Sequence, residues 1–326
     1  MPHDLKRIIV SRTDRIGDVV LSLPVFASLK ECFQESQLIA LVSGYTSDVV
    51  ASFPDIDTVI TSEADDSVWE TARKLRAIRA DAILFLFPRF RLATAAFIAG
   101  VPIRVGTAYR WYSFLFNRKV REHRKDSIKS EAEYNLSLAS AIGCTGKTLS
   151  TRLRIDEKGL NRAREFMSRH GLGKFVVLHP GSGGSATDWS TDNFRKLCAE
   201  IIANTDFNVV VTGSTQEESL CAEVASGLQR CLNAAGKFSL LEFIAFLSMA
   251  DVFVSNSTGP IHLAAAVGTP VVGIYPNNKP MTPARWAPIS DRKVILTPAD
   301  GSDDLNGVSV SQVLNSISTL LPVSAR

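Results

Sequence analysis

Charged side chains crowd one short stretch near the start of the chain, SRTDRIGDVVLSLPV over residues 11–25. It follows the apolar run RIIV and leads into an amphipathic helical pattern. A turn needs one Gly and at most one Asp, yet this tip places Arg, Asp, Arg, Gly and Asp together. Asp18 reads in two compatible ways. It is an N-cap for the helix that follows, or a general base held at a strand-to-helix tip.

Three stretches of the second half also end apolar runs on unusual residues. In VVLHPGSGGSATDWS, Gly181, Gly183 and Gly184 follow a strand directly, and such backbone presents N–H groups to a phosphate without Cβ obstruction. GSGGSA also fits the G-x-G-x-x-A dinucleotide fingerprint. The fit fails in context, because the helical pattern starts only near Ser190. The next strand, NVVVTGS, ends in Gly213 and Ser214 with no acidic residue. In TGSTQEES, another strand end is followed by small hydroxyl residues, and Ser214 or Thr215 reads as an N-cap. FVSNSTGPIHLAAAVGTPVVGIY is the richest stretch. Asn256, Ser257 and Thr258 supply caps, Pro260 sits where an early helical Pro is tolerated, and Ala264–Ala266 permit close packing. That pattern predicts an exposed helix N-terminus able to take a diphosphate, with His262 in the first turn donating to the same anion.

The elements that must position these loops alternate along the whole chain. Strand-like runs RIIVS, QLIALVS, TVI, AILFLF and IRVGT are separated by helical patterns near 19–33, 45–52, 67–79 and 89–99, with another at 129–142. The second half repeats the alternation with FVVLHP, FNVVVTG, CLNAAG, DVFVSN and PVVGIYP, and helices near 191–204, 216–228, 239–249 and 259–267. Near-continuous apolar strands between helices imply parallel sheets covered on both faces. The chain of 326 residues is long for one core and suits two. The expected fold class is therefore α/β, with two doubly wound Rossmann-like domains over 1–160 and 161–326, joined by the polar stretch TGKTLSTRLRIDEKG. Ligands of such sheets bind beyond the carboxyl ends of the strands.

Composition narrows the partners. With 45% hydrophobic and 21% charged residues and a net charge of +3, the chain is an ordinary folded protein and no nucleic-acid binder by charge. Basic residues concentrate locally, with eight Lys/Arg from Arg104 to Lys129 against Glu122 and Asp126, interleaved with aromatics in YRWYSFLFNRK. Such a run is a solvated face or a surface for an anionic partner, either a phosphorylated lipid or a membrane headgroup layer. The most apolar stretch, 81–103, is interrupted by Pro88, Arg89 and Arg91, so no bilayer span is expected, and MPHDLKRIIV lacks a signal-peptide core. The five cysteines show neither a CxxC pair nor metal spacing, and read as reduced thiols of a cytoplasmic protein.

RTDRIGDVVLSLPV, HPGSGGSATDWS and SNSTGPIHLAAAVGTPVVGIYP, in this order and spacing, resemble the signatures of glycosyltransferase family 9, the ADP-heptose:lipopolysaccharide heptosyltransferases and their relatives. The resemblance implies the GT-B fold, two domains facing a cleft, with acceptor on the first and nucleotide sugar on the second. It implies inverting transfer with no essential metal or other cofactor, and Asp18 as base. Nucleotide-sugar contacts would fall on Gly181, Ser182, Ser257, Thr258, Gly259 and His262, with Lys237 and Phe238 bordering the base, and Gly183, Gly213, Ser214 and Pro260 are candidates of the same site. Two positions depart from the family pattern: Ser257 stands where many members have Asp, and Thr187 and Asp188 where many have Lys. For the acceptor, an anionic lipid-linked saccharide, the candidate contacts are Arg15, Arg89, Arg91 and Arg110, with peripheral contact at the cytoplasmic face of the inner membrane. The alternatives are a nucleotide-sugar epimerase of the same fold and a non-catalytic nucleotide-sugar-binding protein.

Overall fold

The computed structural model describes residues 5–184 and 187–321, so Ser185 and Ala186 of the glycine loop lie outside the described residues. The chain divides into two compact units, one ending at Leu153 and one starting at Arg154.

Five short, largely apolar runs and the basic triplet RKV form the strands of the first unit: β1 (Arg7–Ser11), β2 (Gln37–Val42), β3 (Thr58–Thr61), β4 (Ala82–Phe85), β5 (Ile103–Thr107) and β6 (Arg118–Val120). All pair in parallel, in the order β3-β2-β1-β4-β5-β6. The centre of the sheet is covered on both faces, and all four residues of β4 are buried. Its helices are α1 (Ile16–Val20), α2 (Leu23–Cys32), α3 (Ser47–Ala51), α4 (Val68–Ile78), α5 (Phe90–Ile98) and α6 (Glu131–Ala139). Side-chain caps fix where α4 and α6 begin. Ser67 with Glu70, and Ser130 with Glu133, form reciprocal capping boxes, each cap contributing about 1 kcal/mol.

The second unit repeats the plan. Its strands are β7 (Phe175–His179), β8 (Asn208–Val211), β9 (Cys231–Asn233), β10 (Val252–Asn256), β11 (Val271–Ile274) and β12 (Lys293–Leu296), ordered β12-β11-β10-β7-β8-β9 and all parallel. The helices are α7 (Glu157–Arg169), α8 (Thr191–Asn204), α9 (Glu218–Ala225), α10 (Leu240–Leu247), α11 (Gly259–Ala266), α12 (Pro283–Trp286) and α13 (Val310–Leu320). Counted from its own first strand and read from opposite edges, each sheet has the order 3-2-1-4-5-6. The order reverses between the first and fourth strands, so loops after β1 and β4, and after β7 and β10, flank the crevices where such sheets bind ligands.

Three expectations are corrected. The helix read at 19–33 is two, because Pro24 lacks an N–H and sits in the first turn of α2, which forces a new start at Ser22. The polar joining stretch is irregular up to Asp156, which caps α7 by accepting from the Gly159 N–H, and the units part at 153/154 rather than at 160. Gly159 is required there, since a Cβ would lie 2.9 Å from the Leu241 carbonyl of α10. Cys32 and Cys144 are not free thiols but a disulfide. They lie 112 residues apart, and the packing of α2 on α6 brings their Cα atoms to 5.6 Å, inside disulfide range.

Candidate active site

In the first unit the chain leaves β1 through Arg12, and this residue organises the tip. Arg12 is 3% exposed, and its backbone N–H extends the ladder to the Leu41 carbonyl at 2.9 Å. Its guanidinium reaches three carboxylates. Nε donates to Asp14 Oδ1 at 2.7 Å, one terminal nitrogen to Asp18 Oδ1, and the other to Glu131 Oε1 at 2.9 Å. Asn135 Oδ1 accepts from that last nitrogen at 3.2 Å, while Asn135 Nδ2 donates to the Leu21 carbonyl at 3.2 Å, tying α6 to the break between α1 and α2. Arg124 adds a second cation to Glu131. Buried charges persist only when paired in this way.

The electrostatics follow from that packing. Burial strongly disfavours charge, yet the three carboxylates hold Arg12 protonated well above its ordinary range. Asp14 is pushed up to about 6 by burial and by the neighbouring Asp18, against the pull of Arg12. Asp18 is the third residue of α1, not its cap. The N-cap is Arg15, which makes no side-chain cap bond. Its carboxylate keeps 18% of its exposure, so it is anchored and still reachable. Tyr45 closes one side by donating its hydroxyl to the Asp14 carbonyl at 2.8 Å.

The proposed acceptor arginines separate. Arg15, Arg89 and Arg110 are exposed, and Arg89 lies over the Phe87 ring at 4.4 Å, with Arg12 5.7 Å from the same ring. Arg91 is not brought to the tip. It donates to the Asp66 and Glu63 carbonyls and to the Thr71 and Ser62 hydroxyls, and so clamps the β3–α4 loop.

In the second unit, β10 ends in Asn256, which stitches the glycine loop to the sheet. Its Nδ2 donates to the Pro180 carbonyl at 2.7 Å and to Asp188 Oδ1 at 3.1 Å, and its Oδ1 accepts from the Trp189 N–H at 2.9 Å. Trp189 is buried, with Nε1 donating to the Val308 carbonyl at 2.9 Å. Burial raises the Asp188 carboxyl, against hydrogen bonds from Ser182 and Asn256. Glu217 fills the inside of the loop. It accepts from the Gly183 N–H at 3.1 Å and from the Ser214 N–H at 2.8 Å, and a Cβ on Gly181 would lie 2.5 Å from its Cδ. Gly181 is therefore glycine to admit Glu217. Gly213 is glycine because a Cβ would meet Cys221 Sγ at 2.8 Å, and Ser214 is a cap in a capping box with Glu217.

After β10, Ser257 and Thr258 lead into α11, with Gly259 and Pro260 in its first turn. This helix end is mostly buried, against the expectation of an exposed one: Ser257 is 7%, Thr258 4% and His262 4% exposed. Thr258 Oγ1 and His262 Nδ1 find no hydrogen-bond partner among the described residues. Burial, with a contribution from Lys293, lowers His262 to about 4, so the ring is neutral at pH 7. His179, at the end of β7, is likewise lowered to about 4 by burial, and its Nδ1 pairs with Thr212 Oγ1 at 3.0 Å. Lys237 is exposed, whereas Phe238 stacks on Phe246 at 4.7 Å and meets Phe166 edge-on at 4.8 Å, a packing role. Among the described residues no cluster of three or more His, Cys, Asp or Glu could hold a metal.

The sequence reading saw Arg12 and Asp14 only as charges of the tip and gave them no role, and it missed Glu131, Glu217 and His179. For Glu217 a signal existed, the S-x-x-E spacing from Ser214.

Two successive doubly wound units of one strand order, each with a polar loop set at its switch point, define the GT-B class of α/β proteins. A family 9 glycosyltransferase from Veillonella parvula superposes with a TM-score of 0.88 at 22% identity, covering 98% of both chains. The Escherichia coli ADP-heptose lipopolysaccharide heptosyltransferase II superposes at 0.81 and 20% identity, covering 97% of this chain and 98% of that one. The chain belongs to glycosyltransferase family 9, whose model, described as heptosyltransferase, matches residues 68–306. It is also 30% identical to a Haemophilus influenzae protein assigned as a glycosyltransferase, over 97% of each chain. The protein is thus a heptosyltransferase-like glycosyltransferase, and no helix among its described residues is long and apolar enough to cross a membrane.

Proposed function

We propose that this glycosyltransferase moves heptose from ADP-heptose onto a lipopolysaccharide core or related cell-envelope saccharide, with inversion at the anomeric carbon. The unit ending at Leu153 takes the acceptor and the unit starting at Arg154 the donor, at the cytoplasmic face of the inner membrane. The observation that carries the reading is Asp18, a carboxylate pinned by the buried Arg12 at the switch point of the first sheet and still 18% exposed. Asp18 takes the proton of the acceptor hydroxyl as its oxygen attacks the anomeric carbon. The bond from that carbon to the diphosphate breaks, and ADP leaves. Base assistance of this kind is worth roughly 10²–10⁴-fold.

On the donor side, the start of α11 and the neutral His262 meet the charge that grows on the departing diphosphate. The unpartnered Thr258 Oγ1 and His262 Nδ1 support this, since buried polar atoms are rarely left unsatisfied. Gly181, Ser182 and Gly183 line the same loop set, and Arg15, Arg89 and Arg110 hold an anionic acceptor. Family membership leaves the epimerase and the non-catalytic binder without support. The test is ADP release from ADP-heptose and other nucleotide sugars, with and without a lipopolysaccharide-core acceptor, with Asp18→Asn in parallel. Acceptor-dependent release from ADP-heptose that the variant loses is expected. Release unchanged in the variant overturns Asp18 as base, and dependence on another donor overturns heptose.

A further inference from the structure

The apolar surface of this protein is distributed unevenly. Of the ten large hydrophobic residues described as exposed, nine lie in the first unit and one, Ile155, in the second. Four of the nine gather on the loops that follow β4 and β5, at the edge of the sheet that also carries Asp18: Phe90 at 44%, Tyr109 at 48%, Trp111 at 73% and Phe114 at 69% exposure. The Phe90 and Trp111 rings lie 4.7 Å apart, Tyr109 stacks on His123 at 3.9 Å, and Phe114 follows Trp111 on the same loop. Single exposed apolar residues are ordinary, whereas a contiguous aromatic group marks an interaction surface.

The loop holds these rings outward by construction. Ser113 Oγ donates to the Thr107 carbonyl at 2.7 Å and accepts from the Arg110 N–H at 3.0 Å, while Tyr112 donates its hydroxyl to the Pro88 carbonyl at 2.7 Å. Tyr112, Leu115 and Phe116 are buried beneath. Trp111 and Phe114 alternate with these anchors and have nowhere to fold back.

The surrounding charge is mostly positive, with Asp126 the exposed acid among the cations. Of the eight basic residues from Arg104 to Lys129, three are committed internally: Arg104 to the Leu115 and Val101 carbonyls, Arg124 to Glu131 and Lys129 to Glu122. Arg110, Arg118, Lys119, Arg121 and Lys125 are exposed, and among the described residues none of them forms an ion pair. Rigid aromatics among unpaired cations match the chemistry of a lipid headgroup layer, where rings enter the interface and Lys or Arg meet phosphates. A protein partner would leave these cations to be paired by acidic residues of its own, and a bare saccharide would not need Phe114.

We propose that the aromatic rim Phe90–Tyr109–Trp111–Phe114, with its exposed cations, docks the first unit onto an anionic lipid bilayer. It deepens the proposed function, because a lipid-linked acceptor is presented at such a surface, and its test reads binding without turnover. The full chain is mixed with phosphatidylcholine vesicles, with and without phosphatidylglycerol, and bound protein is measured by sedimentation together with tryptophan emission. Sedimentation with phosphatidylglycerol vesicles and a blue shift of emission are expected. Trp111→Phe removes the shift and Trp69→Phe retains it, while Trp111→Ala with Phe114→Ala lowers partition by about tenfold or more. Circular dichroism of that double variant, matching the wild type, excludes misfolding as the cause. Absence of binding overturns the proposal, as does binding that the double variant leaves unchanged. If the double variant instead loses transfer to a water-soluble, lipid-free acceptor, the rim is a saccharide platform and the bilayer reading falls. Failure of transfer in the wild type, with vesicle binding intact, would count against the proposed function alone.

Discussion

The two units use one strand order, yet the loops at their switch points handle charge in opposite ways. In the first, Arg12 is buried among Asp14, Asp18 and Glu131, so fixed ions are kept inside by being paired. In the second, His179 and His262 are buried uncharged, with values near 4, and two polar atoms lack partners. A scaffold of this kind does not dictate the electrostatics of its loops. The first site carries its counter-ion with its carboxylates, while the start of α11 in the second holds its buried histidine uncharged.

The sharpest break of this contrast is Asp18→Asn. It should lower kcat by about 10²–10⁴ while leaving ADP affinity, which the proposed function assigns to the second unit, unchanged; titration calorimetry with ADP beside turnover assays checks both halves. Next is Arg12→Met, which removes the buried cation shared by three carboxylates and should destabilise the first unit by about 3–5 kcal/mol in urea unfolding. The histidines of the second unit predict an acid response. A histidine whose folded value is depressed contributes full stability above the unfolded value near 6.5 and loses it as pH falls toward 4. For His262 the loss by pH 5 is about 2 kcal/mol. His262→Asn should therefore unfold with a smaller difference between pH 7 and pH 5 than the wild type. Gly181→Ala pushes Glu217 from the loop and should cost about 1–3 kcal/mol, with weaker donor binding in the KM for nucleotide sugar. Smallest is Arg91→Ala: melting should show a loss of about 1 kcal/mol from the β3–α4 loop, with no change in the KM for acceptor.

What the sequence made legible was the ladder of strands, because runs such as FVVLH and AILF are apolar throughout and bounded by Pro, Gly or charge. The helix at 157–169 escaped because EKGLNRAREFMSR is mostly hydrophilic and shows only a narrow buried stripe at Gly159, Ala163 and Phe166. KVIL of β12 is too short to separate from a loop. On the site, the glycines and the SNSTGPIH turn announced themselves by residue type. The Arg12 cluster did not, since its partner Glu131 lies 119 residues away and only the fold brings the two together. Arg91 shows the reverse error: exposed-looking basic sequence became a half-buried clamp on the β3–α4 loop.

The bond between Cys32 and Cys144 makes the first unit a covalent ring with a tail. Five of its six strands, β2 to β6, lie on the ring, while β1, Arg12 and Asp18 lie on the tail that precedes Cys32. The strand at the middle of the sheet is thus the one strand not locked into the loop by sulfur. It is held between β2 and β4 by hydrogen bonds and packing alone. Mechanically, a backbone cut anywhere from 33 to 143 leaves the pieces linked, whereas a cut just after Asp18 frees β1 and Asp18 together.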